Sequence, residues 1–143
     1  MANDCKPLPR GLRNNNPGNI RRSGEKWKGL KPIQEDKDFF QFRTRGYGYR
    51  ALIRTLQTYR SKYGVYTIAD MIRRWAPPIE NDTSAYIRRV CQRLMVPTDY
   101  IPDTGDKATM CAIAAAISLV ENGREAVMEE VEDGWRLLQT GES

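Results

Sequence analysis

The stretch AIAAAISLVENG, residues 112–123, carries one carboxyl group, Glu121, behind a long apolar run and two residues ahead of a glycine. An apolar run of that kind reads as a buried helix, and the glycine as its stop. Burial and the negative end of the helix dipole both disfavour a carboxylate. A protonated acid in such a place is what general acid catalysis requires. The alternative reading is an acid that marks the helix end and points into water.

A second carboxylate near the first could serve as its base or nucleophile partner. Glu80 is the first candidate, with Glu35 and Asp38 behind it. Glu80 lies in WAPPIENDTSAYI, residues 75–87, where two prolines fix the backbone between helical segments. Trp75, Asn81 and Tyr86 flank it. The segment is either a plain helix corner capped by Asp82 or a groove wall that offers amides and aromatic faces to a polar ligand. RGLRNNNPGNIR, residues 10–21, adds Asn14, Asn15, Asn16 and Asn19 around a Pro-Gly turn. Amide side chains both donate and accept, as saccharide hydroxyl and acetamido groups demand. They also close Asx-turns. The spacing predicts a division between loop-shaping and ligand-facing asparagines. Trp27, Tyr47 and Tyr49 are either sugar-stacking faces or core.

These groups must be held by helices. Residues 1–13, with Pro7 and Pro9, read as an irregular arm. FFQF at 39–42 is one small strand or an irregular segment packed by its rings. After Gly48, Ala51, Leu52, Leu56, Tyr59 and Tyr63 form an apolar stripe that Gly64 ends. Thr67 caps a short helix closed by Pro77 and Pro78. Asp82 or Thr83 opens a third helix, and Thr104 or Asp106 a fourth over roughly 106–121. A fifth spans about 124–139, with Gly134 loosening its middle. The pattern predicts a mainly α, compact domain over 14–143 with at most a very small β element.

Composition narrows the chemistry. The chain of 143 residues has no histidine, which excludes imidazole catalysis, and three cysteines whose spacing fits no zinc pattern. Cys91 and Cys111 read as buried thiols and Cys5 as a surface one. No metal or cofactor is implied. No apolar run reaches the roughly 18 residues of a membrane span, and the first residues lack the apolar core of a secretory signal. Work outside the cytoplasm would therefore need something else to carry or release the protein. A formal charge of +5 favours an anionic partner. RRSGEKWKG and IRRWAPP, with Arg88 and Arg89, place cations near aromatics. Acids are interspersed and no nucleic-acid motif appears, which argues against a specific nucleic-acid reader.

The words RGLRNNNPGNIR, EKWKGL, FFQF, GYGYRAL, TLQTYRSKYG, TIADMIRRWAPP and ENDTSAYI, spread over roughly 10–90, resemble a family of bacteriophage and prophage proteins described as virion structural or lysozyme-like. The resemblance implies phage origin and a lysozyme-like fold. NNPGNIR is also similar to the Asn-Leu-Phe-Gly-Ile-Lys turn of flagellar-type muramidases and glucosaminidases, through Asn16, Gly18 and Ile20. FFQF resembles their aromatic segment, and Tyr86 the tyrosine of their groove helix. In those enzymes a catalytic helix ending in Glu-Ser-Gly precedes the turn. Here no glutamate precedes residue 14. AIAAAISLVENG resembles that helix, with Glu121 and Gly123 matching and Asn122 in place of the serine. Order and spacing thus predict a circularly permuted lysozyme-like domain.

The expected function is cleavage of the β-1,4 glycan of peptidoglycan by a muramidase or lytic transglycosylase. Glu121 is the acid, Glu80 the second carboxylate, and Asn15, Asn16, Asn19, Trp27, Tyr47, Trp75, Asn81, Tyr86 and Asn122 line the substrate groove. The alternative is a non-catalytic virion protein that binds cell-wall glycan. The expected partners are glycan strands and other virion proteins, without membrane insertion.

Overall fold

Most helices of this protein begin at a side chain that satisfies a backbone group the helix leaves unpaired. The computed structural model describes residues 7–140. Among these, six helices form: α1 (Arg10–Arg13), α2 (Arg45–Tyr63), α3 (Ile68–Trp75), α4 (Thr83–Leu94), α5 (Lys107–Asn122) and α6 (Met128–Gln139). Thr44, Thr67, Asp82 and Asp106 each accept a hydrogen bond from the backbone N–H three residues on. Gly64 and Gly123 close α2 and α5 in the left-handed conformation, which glycine adopts without a side-chain penalty.

The protein is mainly α. Residues 14–44 hold no helix, and their extended pairing is limited to two isolated antiparallel bridges, Arg21 with Phe39 and Leu30 with Phe42. α5 lies in the core, contributing Met110, Ile113, Ala114, Ala116 and Ile117 among side chains from α2, α3, α4 and α6. Its burial follows from its sequence, apolar on nearly every face. Phe40, Phe42 and Ala51 make a second, smaller core, against which Ile20, Trp27, Leu30 and Tyr47 pack. No helix among the described residues is long and apolar enough to cross a membrane.

Several boundaries differ from the sequence reading. α2 starts at Arg45, ahead of Gly48, because Thr44 supplies a cap there. Residues 10–13 form a helical turn packed on α5 instead of an irregular arm. α6 begins at Met128, four residues later than expected. Cys91 and Cys111 are free and buried, and burial pushes both thiols up from their ordinary pKa. Cys5 lies outside the described residues.

Gly134 does not loosen α6. It is the point where α6 meets α2 backbone to backbone: a Cβ there would stand 2.7 Å from Tyr49 Cβ and 2.8 Å from Arg50 N. Overpacking of this kind costs roughly 1–3 kcal/mol, against the roughly 1 kcal/mol of helix propensity that alanine adds. Backbone atoms cannot swing aside, so the clash wins. Gly134→Ala should lower the urea midpoint, whereas Gly24→Ala, with open space around it, should leave it near wild type.

Candidate active site

The C-terminal end of α5 is buried against the N-terminal segment of the chain. Asn122 is 7% exposed. Its Nδ2 donates to the Pro17 carbonyl at 2.9 Å and to the Ser118 carbonyl at 2.9 Å. Ser118 Oγ in turn accepts from the Tyr49 hydroxyl at 3.0 Å. The approach is close enough that a Cβ on Gly11 would lie 2.6 Å from Asn122 Oδ1 and 2.8 Å from Asn19 Oδ1. Only glycine fits there.

Glu121 is fastened by the same junction. Asn19 Nδ2 donates to one carboxyl oxygen at 2.8 Å, across 102 positions of sequence. The Tyr86 hydroxyl, from α4, donates to the other at 2.8 Å. Asn19 has φ +51°, a left-handed conformation that asparagine tolerates better than most residues. Tyr86 is buried. Burial first, then the neighbouring Glu121 charge and the hydrogen bond to it, pushes its phenol far above the ordinary tyrosine range. It therefore stays a donor. The carboxyl group itself is half-buried, not dry, and each oxygen accepts a hydrogen bond.

Glu121 opens into a cleft of about 430 Å³. Gly18, Asn19, Ile20 and Arg21 line it from the turn, Phe39 from the bridged segment, and Thr55 and Tyr59 from α2. Trp75, Ala76, Pro77, Glu80 and Asn81 line it from the α3–α4 corner. That corner is closed by the Thr83 hydroxyl, which donates to the Ala76 carbonyl, and by Asn81 Nδ2, which donates to the Pro77 carbonyl at 3.2 Å. Glu80, half-exposed, pairs with Arg21 at 3.0 Å and so links the corner to the turn. An exposed pair of this kind is worth at most about 1 kcal/mol, so a ligand separates it readily.

The chain is 36% identical over 129 residues to protein P5 of Pseudoalteromonas phage PM2, an alignment that covers 88% of this chain and 79% of that protein. The chain belongs to the P5 family of phage proteins. No family model matches it. The P5 relationship reaches beyond the stretch over 10–90 that carried the resemblance in sequence. It gives the protein a phage origin.

Within this P5-family chain the sequence-derived candidates separate into two groups. Glu121, Glu80, Asn19, Trp75 and Asn81 line the cleft, and Tyr86 holds Glu121 from beneath. Asn15, Asn16, Trp27, Tyr47 and Asn122 do not line it. Asn15 Nδ2 donates to the Phe42 and Arg43 carbonyls. Asn16 is fully buried: its Nδ2 donates to the Ile20 and Phe40 carbonyls, and its Oδ1 accepts from Ile20 N. Trp27 and Tyr47 pack on the small aromatic core. Asn122 spends its amide N–H groups on the junction, and its Oδ1 is buried without a partner among the described residues. Tyr49 is fully buried. Glu35 and Asp38 lie outside the cleft lining, and Asp38 pairs with Arg10 at 3.1 Å.

Arg21, Phe39 and Tyr59 were not singled out from sequence as site residues. Tyr59 was legible only as part of an apolar stripe, and Phe39 as a member of FFQF. Asp36 carried no signal at all, yet it organises the loop beside the turn. It accepts from Arg10 at 2.6 and 2.7 Å, from Asn14 Nδ2 at 2.9 Å, and from the backbone N–H of Asp38 and Phe39. The Arg10 bond leads in holding its carboxyl well below the ordinary range. A lowered folded-state value stabilises the protein above the unfolded value of about 3.9, and that contribution fades as pH falls below it. Asp36→Asn should therefore destabilise the protein at neutral pH and approach wild type in strong acid. Urea midpoints across that range are the measurement, and a gap that does not narrow would refute the assignment.

Proposed function

We propose that this phage protein is a peptidoglycan-cleaving glycosidase with a circularly permuted lysozyme-like architecture, in which Glu121 is the acid. One observation carries the reading: both Glu121 oxygens are gripped, by Asn19 and Tyr86, at the edge of a cleft with an aromatic and amide lining. The two bonds fix the carboxyl group in place at the cleft edge, as a positioned acid requires. The junction of residues 10–20 with the end of α5 supports the permuted order, since it joins the turn to the acid without a direct chain connection.

Glu121 delivers its proton to the oxygen of the scissile β-1,4 bond as the bond from C1 breaks. Asn19 and Tyr86 then stabilise the carboxylate left behind. Among the residues lining the cleft, Glu80 is the other carboxylate. Once released from Arg21 by the strand, it serves as the base that activates water. If the sugar's own C6 hydroxyl attacks C1 instead, Glu121 takes back that proton and the product carries a 1,6-anhydro ring. The phage relationship supports a role in the particle or in the infected host. A non-catalytic virion protein that binds glycan is the second reading, favoured by the Arg21–Glu80 pair that holds the second acid in the structure.

Glu121→Gln is expected to reduce release of sugar ends from purified sacculi by about 10²–10⁴-fold, the usual worth of a positioned acid. Mass analysis of the ends separates hydrolysis from transglycosylation, and equal rates for the two proteins would remove Glu121 from the chemistry. Tyr86→Phe removes one hydrogen bond to a charged group, worth about 1.5–3 kcal/mol. Its kcat should fall by roughly 10–100-fold with little change in KM. Binding to sacculi without cleavage by wild type would favour the structural reading.

A further inference from the structure

The wall of the cleft continues past Tyr59 onto an exposed shelf of aromatic rings and cations. The Arg74 guanidinium lies 4.0 Å from the ring centre of Tyr63 and 5.2 Å from that of Tyr59, which itself lines the cleft. Lys62 stands 5.6 Å from the Tyr63 ring. Tyr63 is 49% exposed, whereas Tyr59 is partly buried against the core. Among the described residues neither Arg74 nor Lys62 is paired with a carboxylate. The adjacent Arg73, by contrast, is neutralised by Asp70 at 2.6 Å. A cation stacked on a ring is already oriented and gives up little freedom when an anion arrives.

A ligand for this shelf must carry anions, while the part that enters the cleft must tolerate Glu121 and Glu80. A nucleic-acid backbone bears a charge on every residue and would drive phosphates toward both acids. A peptidoglycan strand is neutral along its sugars and carries its carboxylates on the peptides that branch from alternate rings. We propose that the shelf formed by Tyr59, Tyr63, Arg74 and Lys62 is an outer subsite that binds the stem-peptide carboxylates of peptidoglycan. It thereby selects peptide-bearing strands over bare glycan. The proposal rests on the glycan reading of the cleft and extends it to a part of the substrate that the acid does not touch.

The test compares intact sacculi with glycan strands stripped of peptide by an amidase. Wild type and an Arg74→Gln/Lys62→Gln variant are measured by co-sedimentation as well as by release of sugar ends. Wild type should bind intact sacculi more tightly than stripped strands, and the difference should shrink with added salt. The variant should lose roughly three- to tenfold in affinity for intact sacculi, as expected for two exposed charge contacts. Its affinity for stripped strands should stay near that of wild type. Matching thermal melts, and recovery of binding by Arg74→Lys with Lys62 restored, separate the charge effect from misfolding. Equal binding of wild type to both polymers, no loss in the variant, or Arg74-dependent retention of duplex DNA at the same salt would overturn the proposal. Failure to release sugar ends would instead count against the cleavage reading, because co-sedimentation reports on the shelf independently.

Discussion

A buried helix that ends inside a protein leaves terminal side chains that need partners, and here the beginning of the chain supplies partners for Glu121 and Asn122. Asn122 bonds the Pro17 carbonyl, Asn19 bonds Glu121, and the two segments approach so closely at Gly11 that no side chain fits. Buried polar groups are costly when unpaired. Local opening of the junction would break these bonds and the close packing at Gly11 together. The cleft depends on it, because one wall is the turn and the acid sits at the end of the helix that the turn covers.

The asparagine-rich turn divides its work according to which elements lie within reach. Asn14, Asn15 and Asn16 point back at the segment running from Asp36 to Arg43 and hold it through side-chain bonds. That segment has only isolated bridges in place of a sheet ladder, so the amides replace backbone pairing that the fold does not otherwise provide. Asn19, beyond the Pro-Gly bend, is turned the other way, toward α5. Four similar side chains thus serve two ends, and the bend between them decides which serves which.

Charge is distributed unevenly around the cleft. Near the turn, Arg21 meets Glu80 and Arg10 meets Asp36 and Asp38, whereas Arg13 and Arg22 donate to backbone carbonyls. Along α2 and α3 beyond Tyr59, Arg74 and Lys62 rest on tyrosine rings. The net charge of +5 is a whole-chain quantity. The part of it next to the cleft wall is Arg74, stacked beside Tyr59.

The helices were legible because their signals are local. Thr67, Asp82 and Asp106 cap where their types predict, Gly64 and Gly123 terminate, and the apolar run of α5 announces its burial. Glu121, Glu80, Trp75 and Asn81 also stood out, since an acid after an apolar helix and a proline-fixed corner are features of contiguous residues. Residue type alone did not separate Asn19 from Asn16, or Trp75 from Trp27, because each pair offers the same chemistry and differs only in what lies across from it. Asp36 was invisible for the same reason: its partners Arg10 and Asn14 are more than twenty positions away. Gly134 was misread as a weak point because glycine's low helix propensity is local, while the close helix crossing that requires it is not. The sequence by itself determined which segments coil and which of their faces are apolar. Only the tertiary structure decided which amides hold the loop and which one reaches the acid, because a hydrogen bond depends on distance and direction between groups that the order of the chain leaves far apart.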